Sequence, residues 1–344
     1  MKIAKKNFGM LSSGKKARLF ILKAGDLRLV MTNYGASLVA LYVPSSRGPE
    51  EDVLLGYGTL AGYASDRFFF GSTVGRYSNR IANGTFTLNG RTYTLDKNDG
   101  KHTLHGGLRG FSRRLWKAEG YEEKDGVFVR FEISSPDGDG GFPGKLRAVV
   151  SYGLSKSNEL IVDYSADVDK PCPVSLTNHA YFNLAGEGRG DILSHEALLY
   201  ASRYAALGRE SAGTLADVEG GPFDLRTRTA IKDAMARFPE TGGGFDHCFA
   251  ADGEAGKLRP FAEISDPLSR RRMRLFSTHP GFQFYTGNAI TPVAGKPGSF
   301  YEKHSGLCLE PQFFPDTPNQ AAFPPCVFSP ERKFHERSLY SFDW

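Results

Sequence analysis

Two short stretches of the 344-residue chain carry a histidine and a carboxylate suited to acid/base chemistry. In TNHAYFNL, His179 stands among an amide, a hydroxyl and two aromatic residues, and in GLCLEPQFFPD, Glu310 ends a short apolar run before a proline. Burial raises the pKa of a carboxyl group and a nearby cation lowers it, which is the tuning that a general base needs. The two residues are a candidate proton-transfer pair; the alternative is that each is a buried structural residue.

A polar loop, GRYSNRI, places Arg76, Asn79 and Arg80 directly before a predicted hairpin. Guanidinium and amide groups present several N–H donors in planar geometry, so such a loop can hold the hydroxyl oxygens of a ligand. The alternative interpretation is a loop that its arginines attach to nearby backbone carbonyls.

A second loop, KHTLHGGLRGF, contains His102 and His105 followed by two glycines. The spacing of the histidines hints at a metal site, but no third ligand follows at a characteristic distance and the segment does not look helical. We therefore expect no metal here and interpret His105 as a hydrogen-bonding residue, beside which the glycines let the backbone approach a ligand closely.

Two further polar residues occur among aromatic residues, Asp246 in GFDHCF and Gln283 in PGFQFYTGN. A polyol site combines such groups, because hydroxyls need donors and acceptors while the C–H faces of a sugar ring need an apolar surface. Taken singly, each has a simpler interpretation: an aspartate in a turn is usually a cap, and a glutamine on a strand usually faces solvent.

The elements that must position these residues are strands. Phe86–Leu95 predicts a hairpin that turns at Asn89-Gly90, and Leu27–Val43 predicts two strands that are joined or bulged at Gly35. Three more strands are predicted at short intervals: Val127–Ile133, Leu146–Gly153 and Glu159–Val168. Another hairpin is predicted over Glu263–Thr278, with its turn at Asp266-Pro267.

Only Ala230–Phe238 has a convincing helical period. Strands that follow strands without intervening helices predict an all-β fold, a large sandwich or barrel whose loops carry the chemistry. The glycines and prolines are spread through the turns and are not concentrated in one linker, so we expect a single domain over residues 1–344.

Composition argues against several classes of partner. The 43 basic and 38 acidic side chains are scattered along the chain, so no basic stripe suited to nucleic acid is present. The densest basic run, Arg270–Arg274, is predicted to be the solvated face of a strand.

The amino terminus lacks the apolar segment of a signal peptide, and no run approaches the roughly 20 apolar residues of a membrane span. Four widely spaced cysteines without a CxxC pair predict reduced, buried thiols and no structural metal. We therefore expect a cytoplasmic protein with no membrane partner.

Six clusters occur together in a familiar order: GRYSNRIANG, LHGG, TNHAYFNLAG, GFDH, PGFQFYTGN and HSGLCLEPQFFPD. In this order and spacing the chain resembles the aldose 1-epimerase (galactose mutarotase) family from about residue 33 to about residue 330. The resemblance implies one large antiparallel β-sandwich of the galactose mutarotase type with few short helices. It also implies an open cleft that binds a free sugar, and no cofactor.

The same resemblance implies roles for individual residues. Glu310 corresponds to the general base and His179 to the general acid that interconvert the anomers of a free aldose such as galactose or glucose. The positions that hold the sugar are Asn79, Arg80, His105, Tyr181, Asp246 and Gln283, with Arg76 beside them. The expected assembly is a monomer or a homodimer.

Three alternatives stay open on the sequence. A sugar-phosphate 1-epimerase of the same fold would need extra arginines, such as Arg109, Arg113 or Arg114, to hold the phosphate. A non-catalytic sugar-binding or sensor domain would bind sugar without exchanging its anomers. A glycoside hydrolase would use Asp246 and Glu310 as its two carboxylates.

Overall fold

The computed structural model describes residues 1–206, 213–237 and 243–344. Within these ranges the chain is built almost entirely from strands, with short α-helices at α1 (Leu60–Ser65) and α2 (Ile231–Met235) and single turns of 3₁₀ helix. In the described residues, no helix is long and apolar enough to span a membrane.

The strands are short and follow one another closely. The first ten are β1 (Lys2–Met10), β2 (Lys16–Ala24), β3 (Leu27–Thr32), β4 (Ser37–Ser45), β5 (Gly48–Asp52), β6 (Thr73–Val74), β7 (Arg80–Ile81), β8 (Thr85–Leu88), β9 (Arg91–Thr94) and β10 (Thr103–Leu104). The next ten are β11 (Lys117–Glu123), β12 (Gly126–Ser135), β13 (Leu146–Ser155), β14 (Glu159–Val168), β15 (Cys172–Pro173), β16 (Thr177–Asn178), β17 (Glu196–Leu199), β18 (Arg203–Ala206), β19 (Thr214–Asp217) and β20 (Thr229–Ala230). The last nine are β21 (Asp246–Ala250), β22 (Arg259–Ser265), β23 (Arg272–Ser277), β24 (Gly281–Tyr285), β25 (Val293–Ala294), β26 (Phe300–Tyr301), β27 (Cys308–Gln312), β28 (Val327–Phe328) and β29 (Phe334–Asp343).

Three larger antiparallel sheets form the body of the fold. The first runs β1-β2-β3-β4-β5, the second β11-β12-β13-β14-β29-β23-β22-β17-β20, and the third β19-β18-β21-β24-β27. Ring contacts join their inner faces, with Phe20 of β2 lying 5.7 Å from Phe131 of β12 and Phe261 of β22 lying 5.2 Å from Phe282 of β24. Sheets packed face to face in this way confirm the all-β sandwich prediction.

The predicted turns are confirmed. Asn89 and Gly90 both have positive φ, 51° and 75°, as a two-residue hairpin between β8 and β9 requires. Gly35, with φ of 68°, separates β3 from β4. Strands β12, β13 and β14 cover the three predicted segments, and Asp266 begins the turn between β22 and β23.

The predicted helix is confirmed in part. Helix α2 begins at Ile231 and ends at Met235, where burial of Ile231 and Ala234 gives it one apolar side. It is shorter than the predicted span Ala230–Phe238, whose last residue lies outside the described ranges.

The prediction for Arg270–Arg274 is wrong at its second residue. Arg271 is only 1% exposed, and its guanidinium donates to the backbone oxygens of Val43, Pro44 and Leu184 while facing Glu51 at 3.5 Å. A buried arginine is tolerated where carbonyl and carboxylate oxygens accept its N–H groups. Arg271 therefore joins β4 and β5 to the segment near Leu184.

Replacing Arg271 with alanine should destabilise the protein by about 3 kcal/mol, because it leaves buried carbonyls and a carboxylate without their donor. Thermal or denaturant unfolding measures the effect. The matched control is Arg272→Ala, since Arg272 is exposed on the neighbouring position of the same segment and should change stability by less than about 0.5 kcal/mol. Equal stabilities of the two variants would contradict this role.

Candidate active site

Three adjacent strands of the third sheet form the floor of the site. In the pairing of β24 with β27, Gln283 lies opposite Glu310, and in the pairing of β21 with β24, Cys248 lies opposite Gln283. Directly paired residues share one face of a sheet, so the glutamine stands beside the glutamate.

His179 reaches this floor through the short pairing of β16 with β6. The N–H of His179 donates to the oxygen of Ser72, and the N–H of Gly71 donates to the oxygen of His179. Gly71 has φ of 65°, and a Cβ built on it would lie 1.9 Å from the backbone oxygen of Leu38. Only glycine fits there, so the residue that donates to the oxygen of His179 is packed closely against β4.

His179 and Glu310 face one another beside Gln283, the residue that pairs with Glu310 in the sheet. Nε2 of His179 lies 3.7 Å from Oε1 of Glu310, and the two residues are 6% and 2% exposed. This distance is too long for a hydrogen bond. The other carboxylate oxygen, Oε2, is buried and has no hydrogen-bond partner. Nε2 of His179 and both carboxylate oxygens of Glu310 are thus available to hydrogen-bond to a bound molecule.

Burial acts on the two groups in opposite directions. It raises the pKa of the Glu310 carboxyl well above its ordinary value, and the charge of Asp246 raises that pKa further. Burial lowers the pKa of His179 to about 4, although the backbone carbonyl of His179 acts in the other direction. Since both neutral forms are favoured, the pair retains one exchangeable proton over a broad pH range.

The loop residues Asn79 and His105 bind each other in two places. The N–H of Asn79 donates to Nδ1 of His105 at 3.1 Å, and the N–H of His105 donates to the oxygen of Asn79 at 3.1 Å. Because Nδ1 accepts, the neutral ring carries its proton on Nε2. The ring of His105 lies 5.2 Å from that of His179, and burial lowers the pKa of His105 well below its ordinary value. His105 therefore presents a hydrogen-bond donor beside the catalytic candidates.

A chain of amide hydrogen bonds forms one side of the cleft. Nδ2 of Asn79 donates to Oε1 of Gln283 at 3.1 Å, and Nε2 of Gln283 donates to Oδ1 of Asp246 at 2.6 Å. A cavity of about 1180 Å³ opens over these residues and over Arg80. Such a surface offers both donors and acceptors to hydroxyl groups.

Arg80 is exposed to solvent, whereas Tyr181 is buried against His179. Nε of Arg80 donates to Asp99 at 2.7 Å while the arginine side chain remains 44% exposed at the cavity rim. Tyr181 is 3% exposed and stacks on His179, with ring centroids 5.0 Å apart. The structure thus brings Asn79, His105, Tyr181, Asp246 and Gln283 together with the pair, and places Arg80 at the entrance.

Arg76 does not fit the sugar-binding role. Its guanidinium is buried and donates to the hydroxyl and backbone oxygen of Ser135 and to the backbone oxygens of Pro136, Pro143 and Gly144. These bonds occupy all five of its N–H groups, so none is left for a ligand. The alternative that a loop arginine binds nearby carbonyls describes Arg76 correctly.

The structure adds residues that the motifs did not single out. The ring of Phe69 lies 4.8 Å from His105 and 5.9 Å from His179, although no local sequence signal sets it apart from its neighbours in RFFF. Cys308 approaches His179 from β27, with Sγ 3.5 Å from Nδ1. The two-residue period of a strand was a usable signal for Cys308, since it places Cys308 on the same face as Glu310.

Among the described residues, one cluster of three potential metal ligands occurs, and it includes the pair. His105, His179 and Glu310 each offer one atom within 4.8 Å of the others. Burial favours the neutral form of Glu310, so a cation that bound there would have to displace the carboxyl proton.

Comparison with known proteins identifies a single family. A family profile described as aldose 1-epimerase matches residues 18–341. The chain is 39% identical to galactose mutarotase of Bos taurus over 326 residues, which cover 94% of this chain and 93% of that protein. It is 34% identical to aldose 1-epimerase of Escherichia coli K12 over 336 residues, covering 96% of both.

Solved structures show the same fold. The chain superposes on the GalM/aldose epimerase homologue from C. elegans with a TM-score of 0.85 and 26% identity, covering 94% of this chain and 99% of that one. It superposes on galactose 1-epimerase from Lactobacillus acidophilus with a TM-score of 0.86 and 24% identity, covering 99% and 98%.

Proposed function

The chain belongs to the aldose 1-epimerase family, whose members are isomerases, and from this premise we propose the reaction and the roles of its residues. The proposed reaction interconverts the α and β anomers of free aldohexoses such as galactose and glucose. Glu310 acts as the general base and His179 as the general acid.

Ring opening requires removal of the proton from the C1 hydroxyl and protonation of the ring oxygen. When the sugar binds, a hydroxyl donated to the unpartnered Oε2 of Glu310 favours the ionised carboxylate. The proton of the pair then resides on His179, which gives it to the ring oxygen while Glu310 takes the C1 proton. After rotation about C1–C2, the two groups exchange roles and the ring closes on its other face.

One observation carries this proposal: two oppositely tuned groups lie 3.7 Å apart, buried and not bonded to each other, beside an amide and carboxylate surface. Positioned proton transfer is all that anomer exchange requires, since the reaction already proceeds slowly in water. Asn79, His105, Asp246 and Gln283 are proposed to hold the sugar hydroxyls, with Arg80 at the entrance and Tyr181 supporting His179.

The sugar-phosphate alternative gains no support from the described residues. Arg114 forms a bidentate ion pair with Asp139, Nη2 of Arg113 lies 3.5 Å from the backbone oxygen of Asp66, and Arg109 is not among the residues that line the cavity. None of the three arginines named for the phosphate is among the residues that line the cavity over Asn79, Asp246 and Gln283. Free aldoses remain the better proposal.

Anomer exchange tests the function directly. NMR or polarimetry on freshly dissolved galactose, glucose and pentoses should show faster equilibration with the purified protein. Unchanged exchange for every aldose would reject the proposal, and sugar binding without exchange would favour a sensor domain. Faster exchange of glucose 6-phosphate than of glucose would favour the phosphate alternative, and release of sugar from an aryl glycoside would favour hydrolysis.

The pH profile of kcat/KM should be bell-shaped, because the active pair holds one proton. As the pH falls through about 4, His179 gains a proton while Glu310 keeps its own, so no base remains and activity falls. As the pH rises through the elevated pKa of Glu310, the pair loses its proton and activity falls again. Rates corrected for spontaneous exchange at each pH measure both limbs.

Asp246→Asn separates the two limbs. The charge of Asp246 raises the pKa of Glu310 and does not contribute to that of His179. The variant should therefore shift the basic limb to lower pH and leave the acidic limb in place. KM should increase, because Asp246 is one of the residues proposed to hold the sugar hydroxyls. A shift of the acidic limb alone would contradict the assignment of the basic limb to Glu310.

Compartment and assembly are also proposals. Cys172, Cys248, Cys308 and Cys326 are free and buried, which agrees with the proposed cytoplasmic location. The expected monomer or homodimer, built from a single domain over residues 1–344, can be measured by light scattering.

A further inference from the structure

One strand contacts both nitrogens of the His179 ring. Cys308 lies two residues before Glu310 on β27, so both side chains project from the same face of the strand. Sγ of Cys308 lies 3.5 Å from Nδ1 of His179, and Oε1 of Glu310 lies 3.7 Å from Nε2. The imidazole is thus held between two side chains of a single strand.

The partner of Nδ1 determines which ring nitrogen can exchange a proton with a substrate. A thiol can either donate or accept a weak hydrogen bond. Nε2 faces Oε1 of Glu310, and it can take up a proton from that carboxyl group only while it is unprotonated, so the neutral ring carries its proton on Nδ1. The sulfur of Cys308 is then the acceptor, and Nε2 is left to face Glu310.

We propose that Cys308 is a positioning residue for this reaction: its sulfur accepts the Nδ1–H of His179, so that Nε2 alone exchanges a proton with the sugar. This inference rests on the proposed function and adds a residue to it. Because sulfur is a weak acceptor, it orients the ring while stabilising the imidazolium less than an oxygen would. The protonated ring therefore remains a strong acid towards the weakly basic ring oxygen.

The other groups around the ring do not replace this contact. His105, Tyr181 and Tyr285 border the ring at centroid distances of 5.2, 5.0 and 6.3 Å. Burial lowers the pKa of His105 and raises the pKa of both tyrosines, so all three are uncharged near neutral pH. Burial and the charge of Glu310 also raise the pKa of the Cys308 thiol, so the partner of Nδ1 is a neutral thiol.

Two variants at this position test the inference. Cys308→Ser replaces sulfur with a stronger oxygen acceptor of similar shape, and should move the acidic limb of the kcat/KM profile upward by about half a pH unit or more. Cys308→Ala removes the acceptor and should lower kcat by about 10-fold with little change in KM. The matched control is Cys326→Ala, since Cys326 is an equally buried thiol outside the site and should leave the profile unchanged.

Nitrogen NMR of labelled histidine supplies a measurement that does not depend on activity. The wild-type protein should show His179 protonated on Nδ1 and unprotonated on Nε2, and Cys308→Ala should show a mixture of the two tautomers. An Nε2–H tautomer in the wild type, or an acidic limb that Cys308→Ser does not move, would overturn the inference. If NMR shows the Nδ1–H tautomer but the protein does not exchange anomers, the proposed function is rejected and the contact between Cys308 and His179 stands.

Discussion

Replacing Glu310 with glutamine should reduce kcat for anomer exchange by about 10³-fold, because glutamine keeps the shape of the side chain but cannot accept a proton. KM should change much less, since the amide can still hydrogen-bond to the sugar and Asn79, Asp246 and Gln283 are untouched. Polarimetry on galactose and glucose, with wild-type protein measured alongside, gives both parameters. The loss should appear for every aldose that the wild type accepts.

The direction in which Glu310→Gln changes the stability of the protein can be predicted. In the native protein the pKa of Glu310 is raised, so the unfolded chain releases its proton first and stability is lost as the pH rises above the ordinary glutamate pKa. Glutamine has no such dependence, so the melting temperature of the variant should equal or exceed that of the wild type at neutral pH. Full activity in a well-folded variant would remove Glu310 from the mechanism.

Local signals predicted the strands and turns well. The hairpin at Asn89-Gly90 depends on two adjacent residues that tolerate positive φ, and the separation of β3 from β4 depends on Gly35, so both follow from short-range chemistry. The burial of Arg271 does not follow from local signals. Its partners, Val43 and Leu184, are distant in sequence, and only the assembled sheets show that their carbonyl oxygens accept its N–H groups.

The same contrast explains the site. The types of His179, Glu310 and Gln283 identified them as polar residues suited to a sugar, but their convergence depends on the register of β24 with β27 and of β6 with β16. Arg76 shares a loop with Asn79, so the sequence predicts the same role for both. The structure separates them, because the guanidinium of Arg76 extends to residues 135–144 while the amide of Asn79 reaches Gln283.

Several residues around the pair adopt unfavourable backbone conformations. Phe69, Asn79 and His105 have φ values of 60°, 60° and 51°, in the left-handed region that few residues other than glycine occupy. Such conformations persist where the surrounding structure enforces them, and they cluster at functional sites. Here they bring three side chains from separate loop positions against one another, with ring contacts between Phe69 and His105 and backbone bonds between His105 and Asn79.

Replacing His179 with asparagine should lower kcat by at least about 10²-fold, because the amide can hydrogen-bond to the ring oxygen but cannot protonate it. KM should rise only modestly, since the hydroxyl-binding residues remain. The same polarimetric assay measures the effect. Combining the change with Glu310→Gln should cost little more than Glu310→Gln alone, because the two groups share one proton and act as a unit.

Acid stability distinguishes the loss of an acid from a loss of structure in this variant. The pKa of His179 is lowered from 6.5 in the unfolded chain to about 4 in the folded protein. As the pH decreases from 6.5 towards 4, the unfolded chain binds a proton that the folded protein does not bind, so the stability of the wild type decreases over this range. His179→Asn lacks this dependence and should lose less stability over that pH range. If the loss of kcat in the double variant instead equals the product of the losses in the two single variants, the two residues act in separate steps and the shared-proton mechanism is wrong.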